Sequence, residues 1–179
     1  MPEGPSILIL KEQVQSFKGK KILKISGNTK TNKHLLVNKT ITDFKSWGKH
    51  FLICTPKINV RIHFMLFGSY SINEQTKANP RLGLKFKNGS LYFYACSVKM
   101  IDEDLNDVYD WSADVLNDSW NATAARKKLN SKPETLVCDA LLDQQIFSGV
   151  GNIIKNEVLY RIKMHPESLL GKLPSRKLR

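Results

Sequence analysis

The feature that most constrains the fold is a change of hydrophobic rhythm near the middle of the chain. Between residues 20 and 100 the apolar residues come in short runs rich in β-branched and aromatic side chains, at 22–25, 35–37, 41–44, 51–54, 60–64, 69–72, 82–86 and 91–94. Turn residues separate them, as in Gly27-Asn28, Pro56-Lys57 and Asn88-Gly89. The last is an Asn-Gly hairpin signal. Short strands at such spacing predict an antiparallel β-sandwich. From Asn121 the rhythm becomes helical. Ala122-Thr123-Ala124-Ala125 opens one helix, Lys132-Pro133 interrupts, and 135–146 and 152–163 read as two more. Their apolar faces are Leu136, Ala140 and Leu141, then Ile154, Val158, Leu159 and Ile162. Pro166 stops the last one, since proline disfavours helix in its predecessor. A helix over 6–17, with Ile7, Leu10, Val14 and Phe17 on one face and Gly19 at its end, precedes the strands. The expected class is therefore α+β: an N-terminal antiparallel β-sandwich with a flanking helix, followed by an all-α domain. A boundary between Leu105 and Leu116 divides the chain into 1–110 and 111–179.

Charge narrows the partner. Lys and Arg number 28 against 16 Asp and Glu, a formal net charge of +12. That favours a polyanion, either nucleic acid or an acidic membrane surface. Lysines crowd residues 18–49, the tail (Lys172, Arg176, Lys177, Arg179) is basic, and acids cluster in 102–118. The acidic stretch reads as a solvated face or linker. No apolar run approaches the ~20 residues of a membrane span, and no basic-then-apolar leader opens the chain. A cytoplasmic, nucleoid-associated bacterial protein is expected. Cys54, Cys96 and Cys138 are odd in number and far apart. They suit core thiols in a reducing compartment, and no C-x-x-C pair offers a zinc site.

Two short segments carry chemistry. The chain begins Met1-Pro2-Glu3-Gly4-Pro5. Removal of Met1 would leave a secondary amine at Pro2, and a terminal amine titrates at roughly 7.7–8.0. Such an amine can attack carbon and form an iminium, with the carboxylate of Glu3 beside it to move protons. Prolines that only stiffen the lead-in to a helix are the simpler reading of these five residues alone. The second segment is Ser148-Gly149-Val150-Gly151-Asn152. A glycine turn feeding a helix exposes backbone N–H groups and the positive end of the dipole, a ready phosphate site with Asn152 as the N-cap. A corner that merely packs is the alternative.

Together these segments, with Leu142-Asp143-Gln144 between them and His165-Pro166 closing the order, resemble the formamidopyrimidine-DNA glycosylase/endonuclease VIII family. The resemblance runs from Pro2 to about Pro166. It implies base-excision repair of double-stranded DNA bearing oxidised bases or abasic sites, with strand cutting by β,δ-elimination, and it identifies the helical part as a helix–two-turns–helix domain. It implies Pro2 as the nucleophile at C1′, Glu3 as its acid/base partner, Lys49 as a catalytic phosphate contact, and Glu157 as a further active-site acid. His63, Asn152, Gly149 and Gly151 fall where the family holds the DNA backbone. Met65, Leu66 and Phe67 fall where apolar residues enter the gap left by an everted base, with Leu66 as the wedge. Three large apolar residues in succession cannot share one side of a strand, which independently favours exposure of at least one. Leu-aromatic-Gly and Glu-Gly-Pro look more like the endonuclease VIII branch, so oxidised pyrimidines are favoured over purines.

Three departures stand out. Ser6 replaces a common acid. No zinc ribbon follows the helical domain, and the chain stops at Arg179, where that segment would begin. A truncated form of a longer protein is expected, with no metal or other cofactor in this chain and zinc in the longer one. A monomer is expected. A DNA-binding module without catalysis is the rival reading, and a retained Met1 would make the Pro2 nitrogen an unreactive amide.

Overall fold

A computed structural model describes residues 2–76 and 78–174. Met1 and the basic residues Arg176, Lys177 and Arg179 lie outside the described residues. The opening helix α1 spans Gly4–Gln13, with Pro5 in its first turn, where a fixed φ and a missing N–H cost nothing. A 3₁₀ turn (Gln15–Phe17) continues it, and Gly19, at φ +76°, redirects the chain into the sheet. Ile7, Leu10, Val14 and Phe17 are all buried.

Among the described residues six strands follow: β1 (Lys24–Ser26), β2 (Asp43–Trp47), β3 (His50–Cys54), β4 (Asn59–Ile72), β5 (Leu82–Phe86) and β6 (Gly89–Ile101). They form one antiparallel sheet in the order β1-β5-β6-β4-β3-β2. Two of the expected runs, 60–64 and 69–72, are a single strand. The run 35–37 is instead a 3₁₀ turn (Lys33–Leu36), because Asn38 at φ +63° breaks the extension. In the β5–β6 hairpin Phe86 pairs Gly89, so the two-residue loop is Lys87-Asn88 and the glycine starts the strand.

The long strands β4 and β6 belong to both halves of the sheet. Their first register (Asn59↔Ile101 to Phe64↔Cys96) lies beside β3, and their second (Ser69↔Tyr94 to Ile72↔Leu91) lies beside β5. Between the two, residues 65–68 stand opposite Ala95 alone. A bulge of that size bends and twists a strand. The halves meet across a core in which Phe51 and Phe93 lie 5.9 Å apart, ring centre to ring centre. Strand β3 is covered on both faces. Phe51 and Ile53 face this core, while Leu52 and Cys54 join Trp47, Ile101, Leu105 and Tyr109.

That second cluster corrects the expected character of 102–118. The segment carries α2 (Leu105–Val108) and lies against the sheet, with Leu105, Tyr109, Ala113 and Asp114 buried and the Trp47 indole donating to the Asp110 carbonyl at 2.9 Å. The helical part has its own core of Ala125, Leu129, Val137, Ala140, Ile146, Leu159 and Leu170. It is built from α3 (Ala122–Asn130), α4 (Val137–Leu142) and α5 (Asn152–Arg161). The expected helix 135–146 is much shorter because Asp143 accepts from the Gln145 amide at 2.9 Å and turns the chain.

Candidate active site

Glu3 is the hub. It is 8% exposed, and its carboxylate reaches 148 to 151 residues along the chain to the start of α5. Oε2 accepts from the amides of Gly151 and Ile154, both at 3.1 Å, and Oε1 accepts from Ile153 at 2.8 Å. These are donors that a helix leaves unsatisfied, and an anion there meets the positive end of the dipole. A carboxylate offers about four acceptor positions, so one on Oε1 stays free. Any Cβ at Gly151 would collide with this carboxylate.

This arrangement corrects two expectations. The N-cap of α5 is Gly151, and Asn152 is the first helical residue, exposed, its Oδ1 accepting from Lys155 Nζ at 3.1 Å. The glycine-loop amides are also largely taken. Glu3 holds three of those at the helix start, and Gln144 Oε1 accepts from Gly149 at 3.1 Å. Gln144 Nε2 donates to the carbonyls of Leu142 (2.7 Å) and Val150 (3.0 Å), so this one side chain splints the loop.

Three backbone segments meet at glycines. The Gly4 amide donates to the Gly149 carbonyl at 2.9 Å. A Cβ on Gly149 would lie 3.3 Å from Gly4 Cα and 3.4 Å from Gly48 Cα. Gly48, at φ +52°, forms the β2–β3 turn, and its position brings Lys49 to the same place. Lys49 is half-buried and near enough for the charge of Glu3 to act on it. Burial lowers the Lys49 pKa from its ordinary value, and Glu3 opposes the shift. Pro2, half-buried, directly precedes Glu3.

His63 pairs with His50 across β3 and β4, and its Nδ1 lies 3.3 Å from the Lys49 carbonyl. Burial lowers the His63 pKa as well. His50 is pushed down to about 3, first by burial and then by the positive charges of Arg61, His63 and Lys49. Met65, Leu66 and Phe67 occupy the β4 bulge with 54%, 65% and 84% of their surface exposed. Gly68 closes the bulge, since a Cβ there would press on Phe64 and on the Ala95 carbonyl. Glu157 lies one turn beyond Ile153 on α5, exposed and bonded to Arg161 at 2.6 Å, with no hydrogen bond to Glu3 or Lys49.

Pro2, Glu3, Lys49, Gly149, Gly151 and His63 thus gather at one junction, Asn152 sits at its rim, and the bulge projects from β4. Asp114 and Gly48 join it without a sequence signal, and Ser148 and Gln144, which lie in the segments that carry the resemblance, take structural roles there. The Asp114 bond to the Leu116 amide is a turn pattern readable locally and the Gln144 bonds stay within six residues, but the Asp114 contact with Gly48, 66 residues away, has no local signal.

Residues 1–97 match the formamidopyrimidine-DNA glycosylase N-terminal domain, and residues 112–179 match the formamidopyrimidine-DNA glycosylase H2TH domain. The chain belongs to the formamidopyrimidine-DNA glycosylase family. Within that family it is 37% identical over 123 residues to mouse endonuclease 8-like 2, covering 62% of this chain and 36% of the mouse protein. The chain therefore spans about a third of the length of such mammalian relatives. It is 24% identical to the formamidopyrimidine-DNA glycosylase of Oceanobacillus iheyensis, over all of this chain and 72% of that one. Among solved structures, a viral DNA glycosylase superposes with TM-score 0.87 at 20% identity, covering 98% of this chain and 76% of the other. The Lactococcus lactis enzyme, solved with DNA containing an abasic site, gives 0.84 at 21% identity over 98% and 74%. These likenesses establish the sandwich-then-helix fold. No helix among the described residues is long and apolar enough to cross a membrane.

Proposed function

We propose that this chain carries the catalytic half of a bifunctional DNA glycosylase/AP lyase acting on double-stranded DNA with oxidised bases, pyrimidines before purines, or abasic sites. The supporting observation is the grip of α5 on Glu3. Three amides fix the Glu3 carboxylate near a lysine whose pKa is lowered by burial, and Pro2 directly precedes Glu3 in the chain. A nucleophile needs that kind of placement, because positioning supplies much of the rate.

In this scheme the neutral Pro2 amine attacks C1′ of the flipped nucleotide. The C1′–N bond breaks, the base leaves with a proton, and the sugar opens to an iminium on Pro2. Glu3 relays protons through its free Oε1 position. The iminium acidifies C2′, whose proton loss expels the 3′-phosphate, and a second elimination expels the 5′-phosphate. Lys49, His63 and Asn152 hold the backbone, Gly149 and Gly151 shape the loop beneath it, and Leu66 with Met65 and Phe67 fills the vacated stack. Glu157 stands at the margin of the site. A zinc ribbon in a longer protein would draw its ligands from residues outside those described, since no group of three His, Cys, Asp or Glu among the described residues could hold a metal.

Borohydride trapping on abasic duplex DNA tests this reading. Protein freed of Met1 should form a covalent adduct, and Pro2→Gly should lose most of it. Absence of any adduct, with salt-dependent duplex binding intact, would instead identify a non-catalytic module. Neutralising about six phosphates would then give a log–log slope of about −5 without turnover.

A further inference from the structure

We propose that Asp114 is a positioning residue for Lys49, acting through the backbone amide of Gly48. The proposal rests on the reading of Lys49 as a catalytic group. Asp114 belongs to the acid-rich stretch, yet it is 3% exposed. One of its oxygens is used locally, Oδ1 accepting from the Leu116 amide at 3.0 Å. The other reaches 66 residues back, Oδ2 accepting from the Gly48 amide at 2.9 Å.

Gly48 has little freedom of its own. Its φ of +52° suits glycine, and a Cβ there would run into the Ser148 hydroxyl and the Gly149 backbone. Its neighbour in sequence is Lys49. Holding the Gly48 amide therefore sets the direction in which the lysine leaves the turn.

The same segment reaches the glycine loop. The Ser148 amide donates to the Ala113 carbonyl at 2.8 Å, and the Val115 amide donates to the Ser148 carbonyl at 3.3 Å. Gly149 accepts from Gly4, and Gly151 donates to Glu3. A closed circuit results: Glu3 to the loop, the loop to residues 113–115, Asp114 to Gly48, and Lys49 back to the field of Glu3. Asp114 is the one side chain in that circuit that bonds the lysine turn. Burial raises its pKa, while the Gly48 and Leu116 amides and the charge of Lys11 oppose the shift.

The test uses the full chain with Asp114→Asn and Asp114→Glu. Asparagine keeps one acceptor but turns an NH₂ toward one of the two amides, whereas glutamate keeps the charge and displaces it by a methylene. Lysine side-chain NMR titration, with Lys49 assigned through Lys49→Arg, reports the lysine directly. Hydrogen exchange reports the Gly48 amide. In Asp114→Asn the Lys49 resonance should titrate closer to a free lysine, and Gly48 should exchange at least about tenfold faster while Phe51 and Ile53 in β3 keep their protection. Single-turnover trapping should slow by roughly 10–100-fold, with a smaller change in duplex Kd because His63 and Asn152 still hold the backbone. Asp114→Glu should fall between parent and Asn, and it decides the matter where the Asn variant does not fold. An unchanged Lys49 titration and trapping rate, or equal loss of protection throughout β3, would overturn the proposal. Because the lysine titration and amide exchange need no turnover, they judge Asp114 even where the parent protein traps no DNA and the lyase reading itself fails.

Discussion

The junction around Glu3 and the bulge at residues 65–68 are built in opposite ways, and the proposed function gives a reason for each. At the junction the key groups are held by backbone contacts from distant segments or by a loop splint: Glu3 by three amides, Gly149 by Gln144, Gly48 by Asp114. At the bulge Met65, Leu66 and Phe67 are more than half exposed and pack on little. Groups that must act at one atom are over-determined by backbone contacts from distant segments. In the proposed function the bulge fills the space a displaced base leaves, which needs reach, and packing those side chains would defeat that. Stability and proposed function should therefore separate. Mutations at the junction should cost both, and mutations in the bulge only the second.

The hardest test of the first half of that contrast is Gly48→Ala. A left-handed φ costs a β-carbon roughly 1–2 kcal/mol, and crowding against Ser148 and Gly149 adds about 1–3 kcal/mol. Urea denaturation should show a loss of about 3 kcal/mol, together with loss of trapping. Glu3→Gln comes next. The amide turns an N–H toward Gly151, Ile153 or Ile154, leaving a buried donor unpaired at about 1–3 kcal/mol. We expect about 2 kcal/mol of destabilisation by the same measurement. A neutral effect would mean that α5 does not depend on Glu3 for its start.

How much of this was legible follows the same division. The class was readable because β-rich runs and helical periodicity are local. The bulge was readable too, since three large apolar residues in a row within a strand must expose one. Merging the runs 60–64 and 69–72 into one strand was not, because an extrusion between paired segments looks like a turn. The 3₁₀ turn at 33–36 was missed for a related reason: the positive φ of Asn38 is a backbone fact that an apolar run conceals. At the junction Pro2-Glu3 and Gly149–Asn152 were linked by family likeness, and composition or periodicity could not have linked them. The likeness did not reveal that Glu3 occupies the amides that the glycine loop seemed to offer a phosphate. Asp114 looked like one more solvated acid because burial of a single carboxylate is decided by a partner 66 residues away.

An effect of similar size comes from pH and belongs to the junction side. His50 follows Lys49 in the chain, with its ring among Trp47, His63 and Tyr109 and its Nδ1 buried. Its pKa is lowered from 6.5 to about 3. A depressed pKa means that the unfolded chain takes up the proton first. The stability this neutral imidazole represents is full above pH 6.5 and drains away as pH falls toward 3. Because part of the ring remains solvent-accessible, about 2 kcal/mol is a reasonable size. Denaturation curves across that range should flatten in His50→Gln relative to the parent. Equal slopes in the two proteins would show that the ring is not held neutral.

The smallest stability change should come from Leu66→Ala and Phe67→Ala, and this pair bears on the other half of the contrast. Both side chains face solvent, so truncation should alter unfolding free energy by no more than about 0.5 kcal/mol. It should also leave the acid-denaturation slope untouched, since no titrating group sits in the bulge. The proposed role predicts a different loss. Everting a nucleotide costs a few kcal/mol, and an inserted apolar side chain offsets part of that. Removing 1–3 kcal/mol of such offset slows processing of a paired, damaged base by roughly 10–100-fold. An abasic site opposite a gap has no base to evert, so trapping there should slow far less. That difference between substrates separates a wedge from a general DNA contact. If Leu66→Ala slows both substrates alike, the bulge binds DNA without opening it; if it destabilises the fold, Leu66 packs where its 65% exposure leaves no room for packing.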